Sequence, residues 1–323
     1  MKSSFRILDG DCLDGMRSLP SATAQTCVTS PPYFGLRDYG HERQIGLEDT
    51  PQVYVERLVA VFREVRRVLR DDGTLWLNIG DSYASFRDGK ATPDTARGES
   101  NGTLVPKGSA KNRSAATFAG TGIKHKDLIG IPWQVAFALR ADGWYLRSDI
   151  IWHKPNPMPE SVTDRPTRAH EHIFLLTKSP RYYYDAEAIK EPARNWGTRD
   201  RSQMRDGTTD PKLKHHGLAG REWEENPMKN KRSVWTVPTK AYKGAHFATF
   251  PTDLIDPCVM AGSQESDFVL DPFAGSGTTG VEALRHNRNF IGCELNPEYA
   301  RLARDRIRED APMFNIDETE DES

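Results

Sequence analysis

Two short loops carry the residue types from which chemistry can be built. In DPFAGSGTTG, residues 271–280, the apolar run FVL (268–270) ends at Asp271 and the helix-like stretch EALRHNR follows, so the glycines stand where a strand turns into a helix. Gly275, Gly277 and Gly280 have the spacing of a dinucleotide-type loop, whose missing side chains let the backbone approach a ligand. A second short strand, NFIG (289–292), then delivers Glu294 near the distance at which a carboxylate meets two ribose hydroxyls. This is half of a site for a nucleoside-containing cofactor. No lysine follows the glycines, which excludes a Walker loop; a nicotinamide dinucleotide would satisfy the glycines, and a nicotinamide oxidoreductase is one reading of them.

The second loop is Ser30-Pro31-Pro32-Tyr33, directly after the strand TCVT (26–29). Two prolines at that place stop helix and sheet alike and leave a stiff loop at the strand's end. In parallel α/β sheets that edge is where ligands bind. The elements that must position both loops read as alternating strands and helices. FRIL (5–8) is a strand leading into DGD; residues 53–69 hold apolar residues at three and four spacing and form an amphipathic helix; DDG and a strand at 74–81 follow. A helix over 131–140, strands within 143–154 and 172–179, and a helix starting near Pro251 complete the framework.

Between these elements lie segments of another character. Residues 84–127 are rich in Gly, Ser, Thr, Ala and Lys without periodicity and read as a long loop insertion. From Glu191 to Phe250 there are 12 Lys or Arg against 7 Asp or Glu, with Trp196, Trp223 and Trp235 interspersed. Such a segment can follow a phosphate backbone while aromatic side chains meet bases, or it is a solvated insertion whose tryptophans pack a small core of their own. The seven acids between Glu309 and Glu322 face no base; taking them from a net charge of −2 leaves +5 on residues 1–308. The tail is expected to be disordered and the body is mildly basic.

With 37% hydrophobic and 28% charged residues, 323 residues suit one large α/β domain with insertions. No run reaches the roughly 20 apolar residues of a membrane helix, and MKSSFRILDGD lacks a signal-peptide core, so no membrane partner and a cytoplasmic location are expected. Cys12, Cys27, Cys258 and Cys293 form no close CxxC pair, and His153 and His170 stand isolated, so no metal is expected.

Taken together, DPFAGSG and TSPPY resemble the signatures of DNA amino-methyltransferases in their beta arrangement, with the catalytic motif first, target recognition in the middle and the cofactor motif last. The resemblance covers most of residues 5–306. It implies a doubly wound, mostly parallel Rossmann-like α/β sheet divided into a catalytic part (1–184, with the 84–127 insertion), a target-recognition region (185–245), a cofactor-binding part (246–308) and the acidic tail (309–323). It also implies S-adenosylmethionine as cofactor and double-stranded DNA as partner, with a restriction endonuclease counterpart and either a monomer or a homodimer open. Residue by residue, Asp271, Pro272, Phe273, Ala274, Gly275, Ser276 and Gly277 resemble the cofactor loop, with Glu294 on the ribose. His246, Phe250, Pro251 and Leu254 resemble a segment flanking the methionine end, and Asp11 a residue near the adenine. Ser30, Pro31, Pro32 and Tyr33 resemble the catalytic loop, and Trp152 and Lys154 a segment beside the target base; Arg37 and Asp38 are read as holding that loop or contacting a phosphate. Many adenine-specific relatives carry Asp where this chain has Ser30, and SPPY is similar to the cytosine-N4 branch. Cytosine N4 is therefore the expected target and adenine N6 the alternative.

The chemistry fits these residue types. An exocyclic aromatic amine shares its lone pair with the ring and is a poor nucleophile until acceptors hold it pyramidal. The Ser30 hydroxyl would take one N–H and the Pro31 carbonyl the other, with Tyr33 stacked on the base. Carbon methylation would need a cysteine nucleophile, and Cys27 lies within an apolar strand and reads as core.

Overall fold

The computed structural model describes residues 3–38, 40–41, 43–84, 118, 120–193, 228–239 and 250–310, and the backbone of 315–317. The chain begins with strand β1 (Ser3–Asp9), helix α1 (Cys12–Arg17) and strand β2 (Ala24–Thr29). Helix α2 (Pro51–Val68) starts where the Thr50 side chain accepts the Val53 N–H and Pro51 presets the first turn. It buries Tyr54, Leu58, Val61, Phe62, Val65 and Val68, the stripe that the three and four spacing predicts.

Strand β3 (Leu69–Ile79) begins directly after this helix. The strand thus starts earlier than 74, and residues 71–73 lie in a bulge, since β2 and β3 pair Ala24 with Leu69 and then Thr26 with Thr74. Gln25 holds the extra residues through Asp72 Oδ1 at 3.1 Å. Helix α3 (Ile131–Ala141), strands β4 (Tyr145–His153) and β5 (His170–Thr177), a small pair of strands β6 (Glu191–Pro192) and β7 (Met228–Lys229), and strand β8 (Val234–Thr236) follow. The chain closes with helix α4 (Thr252–Gly262), strand β9 (Phe268–Asp271), helix α5 (Thr278–Arg285), strand β10 (Asn289–Glu294), helix α6 (Pro297–Asp310) and strand β11 (Asn315–Asp317).

Among the described residues nine strands form one sheet in the order β11-β1-β10-β9-β2-β3-β5-β4-β8, all neighbours parallel except those of β5. Alternation along the strands sends side chains to two cores. Cys27, Leu75, Leu77 and Ile291 join α1, α2 and α3 on one face, while Val28, Trp76, Val269 and Phe290 join α4, α5 and α6 on the other. The mostly parallel, doubly wound sheet is therefore the observed architecture.

Three segments differ from what composition suggests. Glu309 and Asp310 belong to α6, where Asp310 pairs with Arg285 at 2.6 Å, and 315–317 pair with the outer edge of β1, so the acidic tail is not wholly unstructured. An open strand edge satisfies its backbone groups with any chain that can extend, whatever its side-chain charge. The ends of the 84–127 insertion are zipped together, Ala84 N–H donating to Asp127 and Lys126 N–H to Ala84, with Phe118 buried in the core. In the middle region β8 joins the main sheet beside β4, and Trp235 packs against Trp76 with its Nε1–H on the Arg232 carbonyl. Trp235 is thus part of the main core, neither a base contact nor a local core; Trp196 and Trp223 lie outside the described residues. Among the described residues no helix is long and apolar enough to cross a membrane.

Helices α4 and α5 are pinned by His286, whose Nε2 lies 2.8 Å from Asp256 and 3.1 Å from Glu282. The Asp256 bond first, then Glu282, raises its pKa to about 9. Stabilisation from this group is complete below the ordinary histidine value of about 6.5 and lost as pH rises through about 9. Wild-type should exceed His286→Gln by about 1–2 kcal/mol at pH ~6, allowing for screening of a partly exposed ring, and that margin should vanish by pH ~10 in denaturant melts.

Candidate active site

The two loops meet because β2 and β9 are adjacent parallel strands, with Thr26 opposite Val269 and Cys27 opposite Leu270. From β2 the chain winds through α2 to β3 on one side, and from β9 through α5 to β10 on the other. The strand order therefore reverses at the crevice between them, the place where open α/β sheets bind ligands. Asp271 locks the junction. Thr29 Oγ1 donates to its Oδ1 at 2.6 Å, Thr279 Oγ1 to Oδ2 at 2.7 Å, and the Phe273 N–H to Oδ1 at 3.0 Å. Asp271 is 1% exposed, and burial pushes its pKa up to about 6 against the pull of these donors. It shapes the glycine loop from beneath.

The glycines divide their work. Gly275 has φ +54° and a Cβ there would meet only the Phe273 carbonyl, at 3.9 Å, so its backbone borders open space. Gly277 instead faces Ala303 of α6 at 3.0 Å, and Gly280 faces Ile307 and Phe290 at 2.5 and 2.7 Å. Those two glycines let a helix and a strand pack closely, a role that spacing alone does not distinguish from ligand approach. Phe273 is half-buried, while Pro272, Ala274 and Ser276 are buried, Ser276 under Arg306 Nη1 at 2.9 Å.

Glu294 ends β10 with Oε2 on the Gly275 N–H at 2.8 Å and Oε1 on the Asn296 N–H at 2.9 Å. Burial raises its pKa, opposed by these N–H donors. Each oxygen keeps a lone pair for a hydroxyl, so a loop with room at Gly275 and a carboxylate beside it fits a ribose. Asp9 lies opposite Glu294 in the sheet, which brings Asp11 to the same edge, where its Oδ1 caps α1 by accepting the Leu13 N–H at 2.9 Å. Pro251 precedes α4, Phe250 packs on that core and Leu254 is buried within it; His246 lies outside the described residues.

In the SPPY loop Pro31 is buried, Ser30 and Tyr33 are half-buried, and the Pro32 carbonyl accepts from Tyr54 Oη at 2.9 Å. Tyr33 Oη donates to Glu171 Oε2 at 2.7 Å and lies 3.2 Å from Asn78 Oδ1. Burial, then the Glu171 charge, pushes its phenol well above the ordinary value. Glu171 also pairs with Lys154, whose ammonium sits 4.1 Å from the centre of the Trp152 ring. The Trp152 indole in turn donates to the Val237 carbonyl at 2.8 Å. Asp38 holds its own loop by accepting the Gly40 N–H at 2.9 Å. His153 meets Thr236 Oγ1 at 3.1 Å.

Asn78, Gly80, Asp81 and Glu171 were not singled out by motif. A Cβ at Gly80 would fall 2.5 Å from Tyr33 Cε2, so glycine makes room for the ring. Asp81 accepts the Gly130 and Ile131 N–H groups, tying the start of α3 to this edge. Ser82 Oγ is buried without a hydrogen-bond partner in a recess lined by Tyr33, Phe34, Gly80 and Ile131. All four thiols are buried and their pKa values raised, Cys12 to about 12 by burial and then the Asp11 charge, which removes a thiolate nucleophile.

A family model described as DNA methylase matches residues 24–305, spanning both loops. The chain belongs to the DNA methylase family. It is 48% identical over 311 residues to the type II methyltransferase M.Cfr9I of Citrobacter freundii, covering 96% of this chain and 90% of that one. It is 49% identical to M.XycI of Xanthomonas campestris pv. cyanopsidis, covering 94% and 87%. TTHA0409 of Thermus thermophilus, solved in complex with S-adenosyl-L-methionine, is similar at 26% identity with a TM-score of 0.58, over 97% of this chain and 98% of that one. The PvuII cytosine-N4-specific methyltransferase, 17% identical with a TM-score of 0.61 over 98% and 97%, shares the fold. Membership in this family sets the nicotinamide reading aside: the chain is a DNA methyltransferase.

Gly80→Ala should displace the Tyr33 ring and lower DNA methylation by about 10²-fold, because a misplacement on the order of 1 Å near reacting atoms costs that much. Cofactor affinity should stay unchanged by calorimetry. Asp271→Asn removes the titrating carboxyl. As the folded pKa lies above that of a free carboxyl, the stability of wild-type relative to the variant should fall as pH rises from about 4 through about 6.

Proposed function

We propose that this chain transfers the methyl group of S-adenosylmethionine to the exocyclic N4 amine of a cytosine turned out of duplex DNA. The carrying observation is that the SPPY loop and the glycine loop, 242 residues apart at Thr29 and Asp271, leave neighbouring strands and are joined by the Thr29–Asp271 hydrogen bond. A sulfonium methyl is the electrophile that the bound cofactor supplies. Glu294 holds the ribose hydroxyls, Gly275 gives the nucleoside room, and Phe273 lies beside it. Asp11, Phe250 and Pro251 border the same site.

Ser30 Oγ accepts one amine N–H and the Pro31 carbonyl the other, which orients the nitrogen lone pair away from the ring. Tyr33 packs on the base with its hydroxyl anchored. Reach to such a loop requires the base to leave the stack, at a cost of a few kcal/mol. Serine in place of aspartate supports cytosine, whose ring N3 is more basic than its counterpart in adenine, so that a neutral acceptor suffices. The likeness to type II methyltransferases supports a restriction endonuclease counterpart.

The test is nucleoside mass spectrometry of unmethylated mixed-sequence duplex DNA after incubation with methyl-labelled cofactor. Label is expected in N4-methylcytosine. Label in N6-methyladenine would keep the mechanism and overturn the inference from Ser30, and no label would overturn the reaction. Ser30→Ala should lower kcat by roughly 10²-fold with cofactor affinity retained, since one acceptor at the reacting group is lost.

A further inference from the structure

Methylation of an amine leaves one proton too many. A nitrogen that gives its lone pair to the sulfonium methyl becomes positive as the carbon–sulfur electron pair departs with sulfur, and neutrality returns when one N–H proton leaves. On the reading proposed above, Ser30 Oγ receives that N–H. Beyond it the donors run in one direction. Ser30 Oγ donates to Tyr33 Oη at 3.5 Å, the outer limit of a hydrogen bond in a resting site, and Tyr33 Oη donates to Glu171 Oε2 at 2.7 Å.

Glu171 ends this line as a mostly buried carboxylate. Lys154, at the end of β4, neutralises its other oxygen, and Asn78 Nδ2 of β3 lies 3.4 Å from the accepting one. The adjacent His170 is itself influenced by Arg168, His172, Asp149 and Glu171, and His172 Nδ1 lies 2.9 Å from Asp149 Oδ1. Burial disfavours a free tyrosinate at Tyr33, so this hydroxyl hands on its proton as it receives one.

We propose that Glu171 is the terminal acceptor of the proton released by methyl transfer, reached through Ser30 and Tyr33. Sulfonium, neutral amine and carboxylate become thioether, methylated amine and carboxylic acid, and total charge is conserved. Ser30 gives its own proton to Tyr33 as it takes the amine's, and Tyr33 gives its proton to Glu171, which returns it to solvent between turnovers. Glu171 does not touch the base and is a positioning residue acting through two hydroxyls.

Single-turnover transfer of labelled methyl to unmethylated mixed-sequence duplex DNA should be followed across pH for wild-type, Glu171→Gln, Tyr33→Phe and the double variant, with cofactor binding measured by calorimetry. Each single variant should lose about 10²-fold in rate, the double variant should be no slower than the slower single, and the variants should recover as hydroxide rises. KM for DNA and the cofactor Kd should stay within about threefold. In the free protein, the tyrosine 13Cζ resonance lost in Tyr33→Phe should titrate at lower pH in Glu171→Gln. A wild-type rate in Glu171→Gln, losses that multiply in the double variant, losses carried by KM or cofactor affinity, or an unmoved Tyr33 titration would each overturn the relay. Should Glu171→Gln fail to bind cofactor, a wild-type rate in Tyr33→Phe overturns it and a pH-rescued loss upholds it. Wild-type protein that labels no base removes the methylation reading and the relay together, whereas an active wild type with an unimpaired Glu171→Gln removes the relay alone.

Discussion

The buried Asp271 carboxylate is the constraint on which the rest depends. It gathers a hydroxyl from the end of β2, a hydroxyl from the start of α5 and a backbone N–H from the turn between β9 and α5. A charge placed there without those donors would be expelled or neutralised, and burial already lifts its pKa to about 6. The three donors therefore have to arrive together, which fixes the distance between the glycine loop, proposed to hold a nucleoside, and the SPPY loop, proposed to hold an amine. In-line transfer between two bound reactants needs that kind of fixed separation more than it needs a strong base.

Much of this arrangement was legible in the sequence because it rests on local chemistry. Glycines after a strand, two prolines after another and the stripe along α2 each leave a periodic or conformational trace, and those elements stand where their residues predict. The rest depends on long-range pairing. Nothing local distinguishes Gly275, which borders open space, from Gly277 and Gly280, which admit Ala303 and Ile307. Trp235 reads as an aromatic among bases until its strand is seen beside β4. The acids at the chain's end read as solvated tail because composition carries no information about an unpaired strand edge at β1.

Asn78 and Glu171 leave a trace in the sequence that belongs to no motif. Asn78 interrupts the apolar run TLWLNIGD, and Glu171 opens the otherwise buried strand HEHIFLLT. A polar residue inside a strand that is buried on both faces needs a partner, and here each is the other's neighbour at Tyr33. Antiparallel β5 is what makes this meeting possible. Its start lies at the same edge as the ends of β3 and β4, so a residue entering the sheet reaches residues leaving it.

The two halves of the site are consequently built differently. On the side of the glycine loop the chain is packed from behind by α6 and braced by buried bonds, which leaves few degrees of freedom beyond Gly275. On the other side the Tyr33 hydroxyl is tied through side chains, by way of Glu171, Lys154 and Trp152, to the Val237 carbonyl just beyond β8. That chain of contacts ends in the segment expected to meet DNA. Long side chains give up rotamer freedom when they are ordered, and an ion pair only 16–17% exposed loses much of its value if either partner is displaced. Displacement of residues 234–237 would therefore reach the Tyr33 hydroxyl through this line of side chains.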